Sequence, residues 1–216
     1  MSLNTLSAPK ESIEALASVI NKLRDGTDEM ALKFRFLAKR NLAGAKESLH
    51  HKVYFMGLSD VVAGKGIETA EFMGWRYIAS SGKTKISVDM GYDAKDQRHF
   101  FHSLNENPFV AETVSRIALA RKNRNVHAGS YELRVLEIPA LYIVAIWLKD
   151  EKGSNDILVP LEPTHPALKA GSEYDSKTFF LALEKPAAEV LGFDDSPRKP
   201  ARRNRERTRF ENHKSS

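Results

Sequence analysis

The chain has 216 residues, 42% of them hydrophobic and 28% charged, with no cysteine. That composition excludes disulfides, thiolate metal sites and a cysteine nucleophile, and the length suffices for one sizeable core without covalent staples. The formal charge is +5, but of the 33 basic and 28 acidic side chains eight and two stand from Ser196 onward, leaving a near-neutral body of 25 against 26. The polyanion signal therefore belongs to the C-terminal segment and not to the rest of the protein.

MSLNTLSAPKESIEAL lacks a basic stretch followed by an apolar one, so no secretory leader is expected. The longest apolar run, IPALYIVAIWL over Ile138–Leu148, is about half the roughly 20 residues of a membrane span. A cytoplasmic protein is the expectation.

In chain order, Ile13, Leu16, Ala17, Ile20 and Leu23 recur at helical spacing, with Ser7 as cap, Pro9 in the first turn and Gly26 past the end. A second helix is predicted from the Thr27 cap through Met30, Phe34 and Leu37, which gives an N-terminal helical segment over residues 1–49. Residues 50–74 mix apolar pairs with glycines and match neither the helical nor the strand period. Beyond them WRYIAS and KISVDM read as strands around Ser81-Gly82-Lys83, and HFFHSL as a third. Asn107-Pro108 then supplies a cap and a first-turn proline for a helix that buries Phe109, Val110, Val114 and Ile117 and ends near Lys122. YELRVLEIP alternates as a strand, LYIVAIWL suits a strand buried on both faces, and ILVPL follows a turn. A last helix starts at Asp175 or Ser176, buries Phe179, Phe180 and Leu183, is kinked or split at Pro186 and closes at Gly192.

These elements predict an α+β fold: an N-terminal helical pair, then a mostly antiparallel sheet with two further helices over residues 50–195. The order strand-strand-strand-helix occurs twice, which raises a duplicated unit, although no residues correspond between the halves. Residues 196–216 hold six arginines and two lysines around Pro197 and Pro200, with Phe210 as their large apolar residue, so a disordered basic tail is expected.

Four constellations carry possible chemistry. Ser81-Gly82-Lys83-Thr84 has the end of a phosphate-binding loop, but Tyr77 stands where the leading glycine belongs and a strand pattern follows where a helix is needed. A hairpin turn is the better reading. Asp89, Asp93, Asp96, His99 and His102 offer oxygen and imidazole donors for a hydrolytic metal within fourteen residues. On a strand, however, His99 and His102 project to opposite faces, and a solvated turn beside an edge strand explains the cluster without a metal.

Arg121, Arg124 and His127 are the candidate catalytic residues, since histidine can shuttle a proton while arginine stabilises the charge of a phosphorane-like transition state. Arg121 and His127, with five residues between them, resemble the Arg-x(4–6)-His motif of the HEPN ribonucleases, a resemblance that implies RNA cleavage. HEPN domains are helical throughout, whereas this segment joins a helix to a sheet, and cations complementing a helix C-terminus are the better account of Arg121, Lys122 and Arg124.

Finally, Arg198, Lys199, Arg202, Arg203, Arg205, Arg207 and Arg209 are the candidate nucleic-acid contacts, because guanidinium forks match phosphate oxygens. Trp75, Trp147 and Tyr142 fall on predicted strands and read as core and not as base-stacking platforms. The functional expectation is a non-enzymatic binding protein without a cofactor: the neutral body takes a protein or small molecule, and the tail contacts RNA or DNA. A phosphodiesterase using Arg121, Arg124 and His127, and an oligomeric scaffold, are the alternatives.

Overall fold

In the computed structural model, residues 7–25, 49–81, 84–122, 130–153 and 155–194 are described. The predicted second helix, the Gly82-Lys83 turn, Arg124, His127 and the basic tail lie outside them.

The elements are α1 (Lys10–Asp25), β1 (Leu49–Phe55), α2 (Leu58–Val62), β2 (Glu71–Ser81), β3 (Thr84–Asp93), β4 (Arg98–Asn105), α3 (Pro108–Ala120), β5 (Tyr131–Ile138), β6 (Ile143–Asp150), β7 (Ile157–Pro160), β8 (Tyr174–Asp175) and α4 (Ser176–Asp194). The fold is α+β. All eight strands form one sheet in the order β4-β3-β2-β1-β5-β6-β7-β8. Seven neighbouring pairs meet in it; β1 and β5 run parallel and the other six pairs are antiparallel.

Two features of this sheet differ from the sequence expectation. Residues 50–74, which match neither period, contain β1 and the start of β2. β5, read as alternating, is buried on both sides because it lies in the middle of the sheet: Glu132 and Leu136 are buried along with Leu133 and Val135. The sheet edges are guarded in ways that limit pairing with other chains. β8 has two residues, and β4 carries a bulge where it pairs with Asp89 and Met90 of β3.

Register and burial assign the helices to faces. Lys52 and Tyr54 of β1 stand beside Arg134 and Leu136 of β5 on one side and beside Trp75 and Phe72 of β2 on the other. Side chains at paired positions share a face. This first face is covered by α1 over Trp75, Tyr77, Val88 and Met90, where Tyr77 donates a 2.7 Å hydrogen bond to Ser12. It is covered by α4 over Leu136, Ala145 and Leu158, through the buried Phe179 and Leu183.

The second face carries Leu133, Val135, Ile146 and Leu148, under Phe109 and Ile117 of α3. α3 begins as the sequence predicts: Asn107 accepts a hydrogen bond from the Val110 amide at 3.2 Å, with Pro108 next. α4 is capped by Asp175, which accepts from Thr178 N at 2.8 Å. It continues through Pro186 and Gly192 to Asp194, so the proline does not split it. Among the described residues no helix is long and apolar enough to cross a membrane.

Candidate functional site

The second face is only partly roofed, and the uncovered part begins with two glycines. Gly74 of β2 and Gly91 of β3 are register partners on that face. Gly74 has φ +143°, and a methyl group there would collide with the Met90 carbonyl oxygen. At Gly91 a methyl would come within 2.5 Å of the Phe100 ring, which therefore lies directly over the glycine. Both glycines thus serve close approach, of the β3 backbone at Gly74 and of the Phe100 ring at Gly91.

Two adjoining cavities of about 320 and 290 Å³, the first lined by both glycines, share Arg76, Asp89, His102, Glu137 and Pro139 as lining. Together they form one groove. At one end its wall is Val53, Phe55, Met73 and Phe100, and at the other Phe109 and Tyr142. Three of these apolar side chains are unusually open for their size, Met73 at 44%, Phe100 at 42% and Tyr142 at 62% exposed. Tyr142 is thus not the core residue its sequence context suggests. It sits in a left-handed turn before β6 (φ +54°), with its ring 5.5 Å from that of Phe109.

The groove floor holds an ionic network. The Arg76 guanidinium donates to Asp89 Oδ1 and Oδ2 at 2.7 and 2.8 Å and to Glu137 Oε1 at 2.8 Å. Burial alone would lower the Arg76 pKa, but hydrogen bonds and charge from Asp89 and Glu137 outweigh it and hold the guanidinium above its ordinary value. Asp89 Oδ2 also accepts from Ser103 and Asn105, each at 3.2 Å. Such a network is rigid, because every polar atom that moves would strand a buried partner.

The sequence-predicted metal donors are dispersed. Asp89 spends its oxygens on Arg76, Ser103 and Asn105, while Asp93 caps the β3–β4 turn by accepting from the amides of Lys95 and Asp96. His99 stacks on Tyr92, 5.0 Å between centroids, whereas His102 packs against Phe100 and lines the groove. Among the described residues no three His, Asp or Glu side chains come close enough to hold a metal ion. Thr84 starts a strand paired to β2 and not a helix, as the hairpin reading of Ser81–Thr84 requires. Arg121 is exposed at the α3 C-cap, its amide bonded to the Ile117 carbonyl; Arg124 and His127, like the tail arginines, are outside the described residues. An eight-stranded sheet also departs from the all-helical frame that the HEPN resemblance implies.

A wider cleft of about 750 Å³ opens on the first face, beside the α4 N-terminus. Its floor is Tyr54, Arg134, Trp147 and Lys149, and the two floor cations are both paired. Arg134 lies 4.8 and 4.7 Å from the Tyr54 and Trp147 ring centroids and pairs with Glu132, which also binds Lys52 at 2.9 Å. Asp156 accepts from Trp147 Nε1 at 2.8 Å and from Lys149 at 3.1 Å. Trp147 and Trp75 are 3% and 4% exposed, which makes both core and neither a stacking platform.

Sequence reading missed Arg76, Glu137 and Phe100 because their meaning depends on register. Arg76 and Glu137 are 61 positions apart and meet only through the β2-β1-β5 order. One weak signal existed: Arg76 between Trp75 and Tyr77 is a charge amid aromatic residues on a predicted strand, and such a charge needs a partner when buried. No protein-family model, curated protein or solved structure matches the chain.

Proposed function

We propose that the chain is a non-enzymatic binding protein whose groove on the second face takes a ligand or a partner side chain, with the basic C-terminal segment adding contact to nucleic acid. The carrying observation is the groove itself: a concave, largely apolar space around a few fixed polar groups, with Met73, Phe100 and Tyr142 left open to solvent. Ligand sites have this composition, whereas large apolar side chains on a plain surface are scattered. The binding reading is also supported by how the ionic groups are used. Asp89 and Arg76 are engaged with each other and with Glu137, a positioning role and not that of a free acid or base.

The test uses Nile red, a neutral dye whose emission rises in apolar surroundings. Emission should rise on adding the native chain, and Phe100→Ser combined with Tyr142→Ser should remove most of that rise while thermal unfolding stays cooperative. An equal rise with the double variant would place the dye elsewhere and sink the groove as the site. RNA cleavage by the full chain that His127→Ala abolishes, without change in melting temperature, would instead establish the phosphodiesterase.

A further inference from the structure

The groove's charge indicates which ligands it selects. Two carboxylates face one guanidinium, an excess of one negative charge within this trio. That charge is not spread evenly. Asp89 receives four hydrogen bonds, two of them from Arg76, and its side chain is 14% exposed. Glu137 receives a single one, at Oε1, and its side chain is 27% exposed; among the described residues its Oε2 accepts none. Arg76, 10% exposed, binds both acids through Nε and Nη2 and is outnumbered by them two to one.

The rest of the lining is chosen as if for the same partner. Phe100 shares one of the two cavities with Glu137, and Phe109 and Tyr142 share the other; an aromatic face attracts a cation within about 6 Å of its centre. Neither lysine nor a second arginine stands among the residues shared by or lining the two cavities.

We propose that the groove binds a cation joined to an apolar or aromatic body: a primary amine or guanidinium, free or at the end of a peptide side chain, with the charge on Glu137 Oε2 and the body against Phe100 and Met73. This rests on the reading of the groove as a binding site. It adds a choice that the reading does not make, cation over neutral or anionic ligand of the same shape.

Three probes of nearly equal size separate the two: 3-phenylpropylamine, 3-phenylpropanol and 3-phenylpropionate, each titrated into the full chain and followed by NMR at the Phe100, Tyr142 and Trp147 side chains. The amine should bind about fivefold or more tightly than the alcohol, the carboxylate should bind weakest, and the shifts should fall on Phe100 and Tyr142. In Glu137→Gln, which keeps an acceptor for Arg76, the amine should bind no better than the alcohol. Phe100→Leu keeps the apolar volume outside the ionic network, and it should weaken the amine more than the alcohol. Equal binding of amine and alcohol by the native chain would overturn the cation preference and leave the groove a binding site. Amine shifts confined to Trp147 would move the cation to the other face and overturn it too. With no probe shifting Phe100 or Tyr142, the binding reading beneath the proposal falls as well.

Discussion

His51 is 1% exposed on the second face, next to Arg76 in the register, and among the described residues neither of its ring nitrogens has a hydrogen-bond partner. Burial first, then the Arg76 guanidinium, push its pKa down to about 3. In the unfolded chain the imidazole titrates near the usual 6.5, so between these values only the unfolded chain takes up the proton. Stability is therefore full above about pH 6.5 and falls by about 1.4 kcal/mol per pH unit as the pH drops toward 3. His51→Leu should flatten the dependence between pH 4.5 and 6.5 by about that slope. It should leave stability at pH 7 equal or higher, since two unpartnered polar atoms are removed. Urea unfolding of both chains across the range checks it; an unchanged slope would show that some other group takes up the proton. The same residue scale explains the two groove glycines, where a methyl at Gly74 meets backbone and one at Gly91 meets the ring of Phe100.

At the scale of elements, α3 links stability to the groove, because its first turn presents Phe109 both to the core on the second face and to the groove wall. Asn107→Ala removes the cap and should cost about 1 kcal/mol, a shift of about 2–4 °C in melting temperature, while Asn107→Asp should lose little. Thermal unfolding followed by circular dichroism measures it. This cap was legible in the sequence because it is local: Asn-Pro before a helical apolar face specifies its own hydrogen bond. The α4 cap, the β2 and β3 strands and the core placement of Trp75 and Trp147 were legible for the same reason. What escaped depends on distant pairing. β1 hides in a glycine-flanked stretch, and β8 is two residues long; the parallel β1–β5 contact, the Arg76–Glu137 bridge and the openness of Tyr142 have no local signature. Asp89 stood out by composition, yet only the sheet register shows that its partner is a guanidinium.

On the scale of the whole molecule, two antiparallel sets of four strands hang on the parallel β1–β5 seam, which the Lys52–Glu132 ion pair bridges, and each set is followed by a helix. The duplicated strand-strand-strand-helix unit that the sequence raises is not confirmed: four strands lie on either side of the seam, not three. Around this frame the charge is divided in a way that makes a clean experiment possible. Of the 33 basic side chains the segment from Ser196 onward holds eight, six of them arginine, while the preceding 195 residues carry 25 basic against 26 acidic groups. Each phosphate neutralised steepens the fall of log affinity with log salt by about 0.7 for single strands and about 0.9 for duplex, so four contacts would give a slope of about −3 to −4. Fluorescence anisotropy of labelled DNA and RNA across a salt series should show that slope for the full chain. Ending the chain at Asp195 keeps every described element, and it should bring the slope close to zero, since the body has no excess positive charge to release counterions with. Salt-sensitive binding that survives truncation would move the contact onto the body. Negligible binding by both chains would remove nucleic acid from the proposed function and leave the groove, with its aromatic rings and partly exposed Glu137, as the proposed binding surface.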